Sequence, residues 1–436
     1  MASSAEAAKY QLFTITKNGK VIQLQSKVVS FDYYESLLSP NITATLTYVD
    51  TGVVEKGEQN VRYDKKYDSQ ERVGTIYNAL PITGTGDEEI KFKITSGLGT
   101  LDFSKTPLYV SGSSNPDQES NRETVVLNLV SKSAITNQQT HVKKNYFNSS
   151  TNTQSVKNIA KNILKLDKII TDESSNRYPF IGNMKSPFEV LIMLASKSAY
   201  GDGKPGFFFY ETKDGHNFRA IDRLISQTPV NDKNPYFKTE VNRSSVNEDT
   251  SFKISSFSVN KNQNLINALK SGVYSSRGVF FNPKTFKEEE RVFSLGELPQ
   301  SLGKKQPPTP EVAPTDDDYA RVIYSILDVG ALSSSTESKG EANPKDWQQE
   351  VQMRYNLLFT QVVKIQVPCN PNLKAGDVIR CDLEIISPDQ KVQGFSDPVE
   401  SGKYLIMDLC HHYDSLRSFT SMTLVRDTYG KYGGNQ

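Results

Sequence analysis

From Ile42 to Tyr48 the chain alternates without a break, with Ile42, Ala44, Leu46 and Tyr48 on one side and Thr43, Thr45 and Thr47 on the other. A two-residue period is that of a β-strand, so one face of this segment suits a core and the other suits water. The pattern returns in Ile90–Ile94 and in Val125, Leu127 and Leu129. Upstream, two apolar runs flank Asn18-Gly19, a dipeptide that accepts the positive φ angles of a tight hairpin. Gly-, Ser- and Asn-rich stretches such as 111–121 separate these runs. The first 130 residues therefore predict short antiparallel strands of a barrel or sandwich.

The period then changes. Val156, Ile159, Ile163 and Leu166 fall at helical spacing within 155–166, and Ser186-Pro187-Phe188-Glu189 is a capping box with proline at the first helical position. The helix that it opens carries Val190, Leu191, Leu194 and Ala195 and is expected to stop near Gly201. Residues 207–211 and 218–221 flank Asp214-Gly215 as a second hairpin, giving a small α+β module over about 136–225. Phe207-Phe208-Phe209-Tyr210 is apolar on both faces, so it is buried on both sides or meets a partner.

A polar stretch, 228–251, precedes strands expected at 252–259 and around 279–281. Five of the chain's 20 prolines fall within 299–318, which reads as a semi-rigid linker. A helix is expected over 345–358, then strands at 361–367, 378–386, 404–409 and 418–425, and a loose tail at 430–436. At roughly 150 residues per domain, 436 residues make two to four domains.

Charge narrows the function. Lys+Arg number 51 and Asp+Glu 50, a net +1, which argues against a duplex nucleic-acid binder. The longest aliphatic run, 190–195, is far below the roughly 18–20 residues that cross a bilayer, so no membrane insertion is expected. The first residues lack a basic segment followed by an apolar one, so no signal peptide is read. Three cysteines (Cys369, Cys381, Cys410) without framework spacing suggest reduced thiols, which makes the glycosylation-like triplets at Asn41, Asn148 and Asn242 chance matches.

No motif announces catalysis, a cofactor or a metal. His411 and His412 are adjacent on a strand, so their rings point to opposite faces and cannot easily share a metal, even beside Cys410. His141 and His216 stand alone in polar surroundings and read as surface or turn residues. Asp316-Asp317-Asp318 and Glu288-Glu289-Glu290 lack the spacing of a calcium loop and read as solvated helix starts. Lys143-Lys144 and Lys304-Lys305 read as solvated loops. No nucleophile elbow, zinc-binding helix or phosphate-cradling glycine loop occurs. The catalytic, cofactor and metal assignments are therefore none, and the chain is not expected to be an enzyme.

Several segments, in order, resemble a known family. Residues 30–46 (SFDYYESLLSPNITATL) through Val49-Asp50-Thr51-Gly52 look like the first barrel of central baseplate hub proteins of contractile-tailed (myovirus) bacteriophages. Residues 124–140 resemble the strand that leaves that barrel, and 185–197 with 206–212 resemble the family's helix-and-hairpin module. Residues 370–379 (NPNLKAGDVI), 401–406 and 421–427 are similar to its second barrel. The decapeptide 370–379 also looks like a LysM wall-binding fragment, but the sequence that follows stays β.

The resemblance implies a mainly β fold with an α+β insertion: two tail-tube-like antiparallel β-barrels plus a small helix-containing module. The corresponding division is 1–135 first barrel, 136–250 module and polar insertion, 251–295 start of the second barrel, 296–359 linker and helix, 360–428 rest of that barrel, and 429–436 tail. It also implies a homotrimer that adapts a trimeric central spike to a hexameric tail tube or tube initiator. Baseplate wedge proteins would surround it, and DNA would pass without specific binding. Its place would be the virion tail baseplate, after assembly in the host cytoplasm. Candidate interface residues are Phe31, Tyr33, Tyr34 and Leu37 in the first barrel and Asn370, Asn372, Lys374 and Asp377 in the second, with fold maintenance and, for 370–377, turn geometry an equally good account of them. The competing expectations are a tail-associated wall-degrading enzyme and a wall-binding module.

Overall fold

A computed structural model of the protein describes residues 7–51, 76, 80, 82, 84–118, 122–146, 150–201, 204–238, 250–261, 265–283, 285–294, 321–327, 344–384, 396–397 and 399–428. The proline-rich segment 299–318, Lys304-Lys305, Asp316-Asp317-Asp318, Asn148, Asn242 and the tail 430–436 lie outside these residues.

The first β region contains β1 (Lys9–Lys17), β2 (Lys20–Gln23), β3 (Val28–Ser36), β4 (Thr43–Asp50), β5 (Glu89–Ser96), β6 (Gly99–Asp102), β7 (Leu108–Gln118) and β8 (Glu123–Val130). Asn18 (φ 51°) and Gly19 (φ 77°) form the turn between β1 and β2, with Lys17 opposite Lys20, as the dipeptide predicts. In β4 the alternation is realised: Ala44, Leu46 and Tyr48 are buried.

The module follows. Its helices are α1 (Lys132–Gln139), α2 (Asn152–Asn162), α3 (Pro187–Ser196) and α4 (Ile221–Ile225). Its strands are β9 (Asn145–Tyr146), β10 (Ile169–Thr171), β11 (Phe180–Ile181), β12 (Ala199–Tyr200), β13 (Lys204–Pro205), β14 (Phe207–Thr212) and β15 (Gly215–Ala220). Ser186 and Glu189 cap α3 reciprocally. A second such box, Thr151 with Gln154, starts α2 and was not read from the sequence. Helix α3 ends at Ser196 rather than near Gly201, because Ala199–Tyr200 pairs with Lys204–Pro205. Residue Ile221 begins α4 instead of ending the hairpin.

The last part holds β16 (Tyr236–Phe237), β17 (Ser256–Lys261), α5 (Leu265–Ser271), β18 (Ser275–Asn282), β19 (Lys287–Ser294), β20 (Val322–Ile326), α6 (Pro344–Leu358), β21 (Gln361–Pro368), β22 (Val378–Asp382), β23 (Gly402–Asp414) and β24 (Ser418–Arg426). Phe252 lies in a 3-10 turn ahead of β17, so that strand begins later than expected. Glu288–Glu290 lie in strand β19 and not at a helix start, since Phe280 and Phe281 of β18 give that segment a partner. Strands β19, β18 and β20 form a separate three-stranded sheet, in that order.

The class expected from the sequence, mainly antiparallel β with an α+β insertion, is the class the chain adopts. The two β regions form opposite ends of one sheet, in the order β17-β21-β24-β23-β3-β4-β8-β7-β5-β1-β2. They meet where β3 pairs antiparallel with β23, from Ser36 opposite Asp408 to Ser30 opposite Asp414. One apolar core runs beneath both, from Phe13, Phe31 and Phe92 to Ile379, Ile406 and Leu424. Phe31 and Phe92 lie 4.7 Å apart at their ring centres. Each fully buried side chain of this kind contributes about 1.5–3 kcal/mol. Among the described residues, no helix is long and apolar enough to cross a membrane.

Candidate functional site: a buried polar junction

Strand β3 directs Phe31, Tyr33 and Glu35 to the same side, which places a carboxylate at the end of an aromatic column. Glu35 is only 2% exposed. One of its oxygens, Oε1, accepts from the Tyr33 hydroxyl at 2.7 Å and from the Lys213 backbone N–H at 2.7 Å. The other, Oε2, accepts from the Ala375 N–H at 2.8 Å. One carboxylate thus ties the first β region, the turn of the β14–β15 hairpin and the second β region together. Burial pushes Glu35 up to about 7, against the downward pull of these hydrogen bonds.

The hairpin supplies further ties. Glu211 Oε2 accepts from the Ile42 N–H at 2.9 Å, and burial pushes this acid up to about 7 as well. The Lys213 ammonium donates to the Pro371 carbonyl, and burial lowers its pKa. Lys374 pairs with Asp214 at 2.9 Å, and its backbone N–H donates to Asp377 Oδ2 at 3.2 Å. Asp377 is raised to about 6, again chiefly by burial. Gly376 has φ +88°, and a Cβ there would lie 2.5 Å from the Tyr210 hydroxyl. Glycine is what allows the second β region to pass this close to the hairpin.

The two candidate segments, far apart in sequence, are therefore brought together by the module. Phe31, Tyr33 and Leu37 lie in the chain's own core, and Tyr34 is 40% exposed on the opposite face. Asn370 and Asp377 are buried, with the Asn370 amide donating to the Tyr236 hydroxyl at 3.2 Å. Asn372 is exposed and donates to the Leu98 carbonyl at 2.9 Å, and Lys374 is half-buried. Glu35, Glu211 and Lys213 were missed, although the inward alternation through Phe31 and Tyr33 marks Glu35.

The histidines divide as strand geometry requires. His411 is buried against Thr420 at 2.9 Å and is lowered to about 3 by burial and by Lys213, so it is neutral. His412 lies on the other face, with Nδ1 at 2.6 Å from Asp32 and Nε2 at 3.3 Å from Asp414. His216 corrects the surface reading. It is buried on β15 beside Phe188 and Phe209 and lowered to about 4, because the hairpin turn comes one residue earlier and its ring enters the module core. Among the described residues, no group of His, Cys, Asp and Glu is arranged to hold a metal. Glu35, Glu211 and Asp377 are buried and accept from backbone N–H groups, Glu35 also from the Tyr33 hydroxyl, while Asp214 stays half-exposed beside Lys374. The arrangement suits holding parts together.

No family model matches the sequence, and no curated protein matches it. Solved structures do match. The tail protein from Neisseria meningitidis MC58 superposes with a TM-score of 0.51 at 9% identity, over 97% of this chain and 97% of that one. The fold is that of a tail protein. The prophage MuSo2 43 kDa tail protein from Shewanella oneidensis gives 0.50 at 12% identity, over 96% of this chain and 98% of that one.

Proposed function

We propose that this chain is a structural component of a phage tail baseplate, the central hub that joins spike to tube. The observation that carries this reading is the end-to-end match to tail proteins, over nearly the whole of both chains. In this reading the two ends of the sheet act as two tube-like barrels per chain. Three chains then make a ring of six, which fits a trimeric spike on one side and a hexameric tube or its initiator on the other. Wedge proteins surround the ring and DNA crosses it during ejection. The protein resides in the virion tail after assembly in the host cytoplasm. A buried junction that fixes one barrel against the other suits a ring component, whose neighbours need a constant angle.

Light scattering and native mass measurement of the purified chain, alone and mixed with its cognate spike and tube proteins, test this. The expected result is a trimer that binds both. A strict monomer that binds neither overturns the reading.

A further inference from the structure

A concavity of about 640 Å³ lies on the outer side of α2 and the turn that follows it. Its rim carries Lys157, Lys161, Lys165 and Lys168, and its floor includes Ala160, Leu166 and Ile169. Asp167 is the one acid in the lining, so four lysines against one acid leave +3 there, in a chain whose net charge is +1. Lys157 pairs with Glu173, and Lys168 acts on Asp214. Among the described residues, Lys161 and Lys165 have no carboxylate within ion-pair distance.

The ordinary reason for lysines at this end of a helix is the partial negative charge of the last turn. That reason covers Lys161 and reaches Lys165, but not Lys157, a turn earlier, or Lys168, beyond the turn. Lys165 also holds φ 54°, at a helix end closed by the Leu166 N–H donating to the Ala160 carbonyl at 3.0 Å. Glycine or asparagine is the usual occupant of such a position. Here the exposed residue is a fourth cation instead.

We infer that this basic concavity docks an acidic protein segment that also offers an apolar side chain. Lys157 and Lys161 lie four residues apart on α2, about 6 Å along its axis at 1.5 Å per residue, and Lys165 and Lys168 extend the basic rim past its end. Glutamates on every fourth residue of a partner helix have the same spacing. The apolar floor gives a leucine-like side chain a place to bury. A nucleic acid is the poorer fit, because the lining holds no aromatic ring for base stacking and no arginine fork for phosphate. The inference does not rest on the tail reading.

The test uses the full chain and a labelled synthetic helical peptide with glutamates at every fourth position and leucines beside them, read by fluorescence anisotropy. Saturable, salt-sensitive binding is expected. It should weaken roughly ten-fold or more in Lys161→Glu/Lys165→Glu, and stay within about two-fold in Lys143→Glu/Lys144→Glu, a charge reversal at exposed lysines elsewhere. Replacing the peptide's leucines with serine should weaken it too. If thermal melting shows the first variant to be unfolded, Lys161→Gln/Lys165→Gln takes its place. No saturable binding, an unchanged affinity in the variant, or tighter binding of a charge-matched single-stranded oligothymidylate or polyphosphate overturns the proposal.

Discussion

Strand β14 in the module and strand β20 in the small outer sheet are both short and both rich in apolar residues, yet one has no open face and the other has a wide one. Phe207 and Phe209 of β14 enter the module core, while Phe208 and Tyr210 cluster with Leu224 of α4 and with Val378, Leu405 and Val425 of the second β region. Helix α6 adds the Arg354–Asp222 ion pair and a hydrogen bond from Tyr355 to the Phe207 carbonyl. The sheet of β18, β19 and β20 packs on α6 through Gln349, which donates to the Ser276 carbonyl at 2.8 Å. Its other face leaves Tyr324 78% and Ile326 67% exposed. Apolar content alone does not say how many sides of a strand are covered. Covering the second side makes hydrogen-bond partners for the buried carboxylates nearby worth having, as Glu35 and Glu211 have.

The strongest way to break the contrast is Phe208→Ala, which opens a cavity between the module and the second β region. A loss of about 3–5 kcal/mol is expected in denaturant unfolding. Gly376→Ala comes next. Its methyl collides with the Tyr210 hydroxyl at a left-handed φ, and a loss of about 1–3 kcal/mol is expected by the same measurement.

Acidity probes the junction itself. Glu35 and Glu211 hold protons more tightly when folded, at about 7, than near their ordinary 4.5. Their contribution is complete below the unfolded value and is lost as pH rises through the folded one. His216 and His411 work the opposite way, since both are held neutral in the fold and lose stability as pH falls below 6.5. In the unfolded chain they are half-protonated at about 6.5 and nearly neutral by about 7.5, so they offset only part of the acids' loss, and the denaturant midpoint should still fall as pH rises from about 6.5 to 8. Glu35→Gln/Glu211→Gln should flatten that slope, and an unchanged slope would remove the junction from the account. At the small end, Tyr324→Ser on the open face should shift stability by no more than about 0.5 kcal/mol. A larger loss would mean that this face is covered after all.

Much of the fold was legible because it rests on local rules. Alternation located β4, β5 and β8, Asn18-Gly19 located the first hairpin, and Ser186 with Glu189 located α3. What was missed depends on contacts distant in sequence. Strand β20 is held by a parallel pairing with β18, which no local pattern encodes. His216 looked like a surface or turn residue because its neighbours are polar, and only the rings of Phe188, distant in sequence, and of Phe209, across the hairpin, show it as core. The junction was half legible: both end segments were singled out, but the carboxylate that joins them became visible only once the hairpin lay between them.

The pairing of β3 with β23 also fixes an order of events. Ser36 must wait for Asp408, a separation of 372 residues. At about 5–20 residues per second on the ribosome, the open edge of β3 stands for roughly 20–70 s before its partner strand is made. Closure over so long a stretch makes this pairing a late and slow event. Until then the first half presents a bare strand edge, the point at which a truncated or stalled chain is most prone to pair with another.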